Sequence, residues 1–172
     1  PLESYLKGGD VISMFLAPAT AVLAYSIYHQ IHLLKKYWLP ILVGCLVGAV
    51  TSIGSVYLLC KLFGLNETLL ASMLPKSVTT PIAMEVSSSL GGTPSITVAA
   101  VVVTGILGAM LSPLFVKLLR LKNKVAIGVA IGSSSHAVGT SKAVEIGEAE
   151  GAMSGIAIGV SGILTVLISL FL

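Results

Sequence analysis

Between Thr68 and Leu90 the chain carries Pro75, Lys76, Pro81 and Glu85 inside a run that is otherwise long and apolar enough to cross a bilayer. Each proline removes an amide hydrogen and clashes with the preceding turn, so no continuous helix fits here. A lysine and a glutamate at this depth are costly unless they find partners or face a cavity. In a soluble domain, Pro75-Lys76-Ser77-Val78-Thr79-Thr80-Pro81-Ile82-Ala83-Met84-Glu85 would be a loop leading into a helix. In a membrane, irregular backbone survives only where protein or trapped water covers it, so the segment must be discontinuous or re-entrant.

The membrane setting comes from composition. The 172 residues are 55% hydrophobic and 10% charged, against about 25% charged in an ordinary soluble domain. With 18 glycines and a mean hydropathy of +1.01, the chain falls in the polytopic membrane class. Its length suits one compact bundle, a single transmembrane domain over 1–172. The net charge of +3 is modest and the lysines sit between apolar runs, which suits orientation in a lipid bilayer and not nucleic-acid binding. Cys45 and Cys60 lie in one apolar run and read as small packing residues without a disulfide. Neither a metal nor a cofactor is suggested by any spacing of ligand residues. The chain opens Pro1-Leu2-Glu3, with no initiating methionine, basic n-region or cleavage signal, and reads as a piece lacking earlier helices.

In chain order, a first span is expected over about 11–28, kinked at Pro18. A polar loop with His29, Gln30, His32, Lys35 and Lys36 follows, its histidines at headgroup level. The second span, about 37–60, starts with Tyr37 and Trp38, where aromatic rings anchor at the interface. Its Gly44-x-x-x-Gly48 permits a close helix crossing. After the broken run come a span over 94–116, a basic loop with Lys117, Arg120, Lys122 and Lys124, a second irregular segment over 125–150, and an uncharged span over 151–172.

The two irregular segments correspond. A shift of sixty residues places Thr80 on Thr140, Ala83 on Ala143, Glu85 on Glu145 and Lys76 on His136. A shift of fifty-seven places Val103-Thr104-Gly105-Ile106-Leu107 on Val160-Ser161-Gly162-Ile163-Leu164. The repeat halves fall at about 11–93 and 94–172. Interrupted segments at matching positions in two halves point to a transporter's substrate site. If the loops at Lys35-Lys36 and Lys117 to Lys124 share the cytoplasmic side, Lys61 lies outside and the segment over 68–90 must dip in and return. The fold class expected is therefore an all-α polytopic membrane protein of inverted repeats, with two discontinuous or re-entrant helices meeting near the midplane. The rival topology has both broken segments crossing fully.

Lys76-Ser77-Val78-Thr79-Thr80-Pro81-Ile82-Ala83, the Gly91-Gly92-x-Pro94 after it, and Ser135-His136-Ala137-x-Gly139-Thr140 resemble the signature of the LrgB/CidB family of antiholin-like proteins. The resemblance covers essentially the whole chain and implies a bacterial cytoplasmic (plasma) membrane protein with a small LrgA/CidA-type partner subunit. Related members include the plastid glycolate/glycerate translocator. Bacterial pairs of this type are associated with pyruvate uptake and with control of murein hydrolase activity and autolysis. Full members carry additional N-terminal helices.

The residues themselves suit a small carboxylate anion. Thr80 followed by Pro81 reads as a helix cap and first turn, whose free amides and positive dipole end would face an anion. Thr140, after Gly139, would do the same in the second segment. Lys76 and His136 would add positive charge, and His136, Glu85 and Glu145 are candidates for proton coupling. The substrate-binding candidates are Lys76, Ser77, Thr79, Thr80, Pro81, Ser134, Ser135, His136, Gly139 and Thr140. Plainer roles compete: the threonines as caps, Ser77 and Ser133 to Ser135 as partners for freed backbone groups, Lys76 snorkelling to the interface, and Glu145 pairing with Lys142. With no nucleophile elbow, metal cluster or cofactor loop, and with Ser135-His136 too close in sequence for a triad, an enzyme is not expected. Two functions remain: a transporter or facilitator of small monocarboxylates, such as pyruvate or glycolate, and a holin-like regulator of autolysis. Glycine-rich helix faces also suit a homo-oligomer.

Overall fold

The computed structural model describes Met14, Tyr25, Tyr28, His29 and residues 31–172. The span expected over about 11–28 lies outside these residues almost entirely. Among the described residues from Ile31 on, six helices follow one another: α1 (Ile31–Leu62), α2 (Glu67–Met73), α3 (Thr80–Ser89), α4 (Pro94–Leu118), α5 (Lys124–Ile146) and α6 (Glu148–Ser169). Three of them, α1, α4 and α6, are long and apolar enough to cross a membrane. At about 1.5 Å per residue, the 25 residues of α4 reach beyond a hydrocarbon core of about 30 Å. The chain is an all-α, multi-pass membrane protein.

Local sequence sets the helix ends. Asn66 caps α2 by accepting from the Leu69 amide at 2.8 Å, and Asn123 caps α5 by accepting from Val125 and Ala126, each covering otherwise orphaned amides. Pro94 occupies the first turn of α4, where a missing amide hydrogen costs little. Within α1, Tyr37 leaves the helical region (φ −117°, ψ 21°). Pro40 three residues later accounts for this, because its ring crowds the carbonyl of Lys36.

The first broken segment doubles back. Leu70 and Leu74 from its start and Leu90 from its end share one buried cluster with Ile53, Val56 and Cys60 of α1 and Ile168 of α6. Ser72 accepts from the Thr93 amide at 2.7 Å, and Thr97 donates to Ser87 at 2.7 Å. Both ends of this hairpin are therefore tied to the start of α4.

The second segment is two helical legs joined at His136 (φ 42°, ψ −143°), where the chain reverses. A methyl on Gly139 would lie 3.2 Å from Ile131 Cγ2, and Ala143 shares a buried cluster with Ile127 and Ile131. Along a straight helix, residues eight and sixteen positions apart lie about 12 and 24 Å apart. The two legs of α5 thus lie side by side. Val116, at the far end of α4, and Leu121, just beyond it, pack against the same cluster. The first hairpin has its foot at the start of α4, and the second has its foot at the end.

Glycine makes this packing possible. A methyl on Gly132 would lie 2.8 Å from Ser154 Cα, and one on Gly128 would lie 2.7 Å from Met153 Cβ, so α5 and α6 touch nearly backbone to backbone. Around Met153, Ile41 and Cys45 of α1 join Val129 and Ala157 in a closed core. Cys45 and Cys60 are buried free thiols. Gly132→Val is expected to lower unfolding stability in detergent by about 1–3 kcal/mol through overpacking. Gly54→Val, where nothing lies within 4 Å, should change it by less than about 0.5 kcal/mol.

Candidate functional site

The tips of the two hairpins meet at Val101, about two turns into α4. The Val101 side chain is fully buried with Val78 and Ala83 of the first hairpin. Its carbonyl oxygen accepts a 2.8 Å hydrogen bond from His136 Nε2 of the second. A carbonyl only accepts, so Nε2 carries the hydrogen and Nδ1 is left as the second ring position. The imidazole lies on Gly105, where a methyl would come 2.5 Å from its Cε1. Ser135 similarly fills the space over Gly108, where any Cβ would collide with its hydroxyl.

Lys76 stands at the first tip, partly buried. Its Nζ donates to Ser77 Oγ at 3.5 Å, and Ser77 is held by Ser52 of α1 at 2.7 Å. Beside Lys76 lies a cavity of about 480 Å³ between α4 and the first leg of α5. Thr104, Ser112, Ser134 and Ser135 supply its hydroxyls, and Leu107, Phe115 and Ile131 are among its apolar walls. Ser134 and Ser135 stand 3.0 Å apart, oxygen to oxygen. Among the described residues, Lys76 is the one charged side chain lining this cavity. The lining thus combines one amino group, several hydroxyls and apolar walls.

The sequence-derived candidates divide into three groups. Lys76, Ser134 and Ser135 line the cavity together, and Ser77 positions the lysine from behind. His136, Gly139 and Thr140 are buried and pack the second tip. Thr79, Thr80 and Pro81 begin α3, but Pro81 faces a different groove, which it shares with Glu85, Ile82 and Ser169.

Both helix caps differ from expectation. The cap of α3 is Thr79, one residue earlier than Thr80, and its side chain makes no capping hydrogen bond. The Ala83 amide donates to the Thr79 carbonyl at 2.9 Å, which draws the first turn back by one position. Thr140 caps nothing. It lies one turn inside the second leg, donates to the His136 carbonyl at 3.0 Å and shares a hydrogen bond with Ser154 of α6 at 2.7 Å. The reversal falls at His136, as the chain also breaks around its repeat counterpart Lys76. Glu85 and Glu145 are exposed, and Glu145 pairs with Lys142 at 2.5 Å.

Ser52, Thr104, Gly105, Gly108 and Ser154 were not singled out from the sequence. Ser52 and Ser154 look like ordinary helix-facing hydroxyls, and only the fold brings them to the tips. Gly105 and Thr104 did carry a signal, since they open the stretch that the fifty-seven-residue shift repeats.

The LrgB-like family matches the chain over residues 1–172. The chain belongs to this family. An antiholin-like protein LrgB of Bacillus mycoides is 43% identical over 166 residues, covering 96% of this chain and 72% of the relative. The LrgB of Bacillus cereus strain B4264 is 42% identical over the same length. The uncharacterised protein YxaC of Bacillus subtilis is 44% identical over 162 residues, covering 94% of this chain and 70% of the relative. No solved structure matches. For this LrgB-like chain, His136→Leu is expected to cost about 0.5–1.5 kcal/mol in unfolding experiments by removing the buried hydrogen bond to the Val101 carbonyl. His136→Gln, which retains a donor, should recover part of that loss.

Proposed function

We propose that the chain is a transporter or facilitator of small monocarboxylates, such as pyruvate, glycolate or related hydroxy acids, acting with a small LrgA/CidA-type membrane subunit. The observation that carries this reading is the cavity at the hairpin tips. There Lys76 of the first broken segment faces Ser134 and Ser135 of the second, with apolar walls along the rest. One cation and a few hydroxyls match one carboxylate and a short body.

The hairpin feet at opposite ends of α4 suit an inverted repeat, with halves at about 11–93 and 94–172 and the tips near the bilayer midplane. Lys35, Lys36 and the basic loop after α4 would then face the cytoplasm of a bacterial cell. The buried tips and the vestibule beside α4 supply a fixed site and one route to it. Opening alternately towards the two faces would require the hairpins to move against α4 and α6.

A second reading is a holin-like or antiholin-like membrane protein that regulates murein hydrolases and autolysis. It is favoured by the printed names of the Bacillus mycoides and Bacillus cereus relatives. A simple pore or scaffold has little use for polar tips buried inside the bundle, which favours transport. Uptake of labelled pyruvate and glycolate into proteoliposomes, with and without the partner subunit, separates the two. Saturable flux is expected from the complex, and release of large solutes without saturation would support the second reading. Lys76→Met should abolish the flux while membrane insertion persists, and Thr80→Val, one position from the observed cap, should reduce it. Full flux in Lys76→Met would remove the cavity from the mechanism.

A further inference from the structure

The cavity beside Lys76 has a counterpart under the two sequence shifts. The sixty-residue shift carries Ala130, Ile131 and Ser134 of its α5 wall back onto Leu70, Ala71 and Leu74. The fifty-seven-residue shift carries Leu111 and Phe115 of its α4 wall onto Ile168 and Leu172. These counterparts also lie together. Leu70, Ala71, Leu74 and Leu172 line a smaller hollow of about 290 Å³ with Lys61 and Glu67, and Leu70, Leu74 and Ile168 share one cluster. The cavity takes in Leu121 and Ile127 at the foot of the second hairpin, and the hollow takes in Glu67 and Leu90 at the foot of the first. Matched glycines seat the hairpins: His136 lies over Gly105 of α4, and a methyl on Gly162 of α6 would come 2.9 Å from Ile82 Cδ1 of the first hairpin.

The two spaces differ in what fills them. Ser134 is exposed in the cavity, whereas its counterpart Leu74 is 6% exposed. Contact among Leu70, Leu74, Leu90, Cys60 and Ile168 closes the hollow. Such apolar contact can part and re-form without stranding a polar group. Thr104 lines the cavity, and its counterpart Ser161 is 2% exposed. Among the described residues the Ser161 hydroxyl has no oxygen or nitrogen partner, and the Cys45 thiol lies beside it. A thiol is a weak partner, so this hydroxyl is poorly satisfied in the closed arrangement. Water admitted between α2 and α6 would satisfy it.

We propose that the cluster around Leu74 is the closed form of a second route to the hairpin tips, and that this route opens as the cavity beside Lys76 closes. In its open form Leu70, Leu74, Ile168 and Ser161 line the route, as Ala130, Ser134, Leu111 and Thr104 line the cavity. The proposal rests on the inverted-repeat transporter reading, because the two repeats trade conformations. An anion held at Lys76 then meets one face of the membrane past Ser134 and the other past Leu74. The apolar closure at Leu74 keeps the two routes from being open together.

Labelling with a membrane-impermeant maleimide in oriented vesicles tests the exchange without any uptake measurement. Leu74→Cys and Ser134→Cys are made singly and together in the full chain carrying Cys45→Ala and Cys60→Ala. Leu74→Cys is expected to label from the face of Lys61 and Glu67, and Ser134→Cys from the face of the loop after α4. In the double variant, a bulky maleimide already on Ser134→Cys props the cavity open and should slow labelling of Leu74→Cys by about tenfold. Ile168→Cys, in the same cluster, gives the same readout if Leu74→Cys does not insert. A cluster that stays unlabelled while Ser134→Cys reacts is permanently closed and overturns the proposal. Labelling of Leu74→Cys at an unchanged rate in the propped chain also overturns it. Reciprocal labelling without saturable uptake supports the exchange and counts against the monocarboxylate reading alone.

Discussion

A helix that stops inside hydrocarbon leaves amide and carbonyl groups without water to bind them, and covering two such stops shapes everything else in this chain. The cover is α4. About two turns in it offers Val101, whose side chain receives the first tip and whose carbonyl receives the His136 ring of the second. Glycine at 105 and 108 lets the second tip settle directly on the α4 backbone. Ser52 and Ser154 reach in from α1 and α6 to hold Ser77 and Thr140. The three long helices therefore form a frame for the two hairpins.

The same demand puts strain and polarity in one place. His136 occupies a backbone region (φ 42°) that side chains rarely adopt, at a cost of about 1–3 kcal/mol where such conformations are held by their surroundings. The ring's bond to Val101 and the Thr140 bond to the His136 carbonyl hold it. Beside this reversal lies the cavity that Lys76 enters from the other hairpin. Interrupting two helices thus creates both the structural difficulty and the space that Lys76, Ser134 and Ser135 line.

Much of the architecture was legible because prolines and charges stand out in an apolar chain. Pro75, Lys76 and Pro81 marked the first break, and the bounds of α4 and α6 follow from uncharged runs between polar loops. The second break carried no proline, and its serine and glycine content located it only within a stretch of about ten residues. The cap at Thr79 was missed because Thr79 and Thr80 have the same chemistry, and backbone hydrogen bonding alone decides between them. Thr140 was misread for a different reason: its match to Thr80 in the repeat is sequential, whereas the reversal sits four residues earlier. Pairing across the bundle is where sequence has least to say. Nothing in an isolated helix distinguishes Ser52 from Ser55, or buried Glu150 from exposed Glu148. That distinction arises only when α5 folds back and α6 closes beside it.

The central claim is that both broken segments dip and return from opposite faces. Single cysteines at Glu67 and Ser95, flanking the first hairpin, and at Lys122 and Glu148, flanking the second, can be labelled with a membrane-impermeant thiol reagent in oriented vesicles. The account predicts that Glu67→Cys and Ser95→Cys react from one face, and that Lys122→Cys and Glu148→Cys react from the other. Labelling of Glu67→Cys and Ser95→Cys from opposite faces would mean that the first segment crosses fully, and would contradict it.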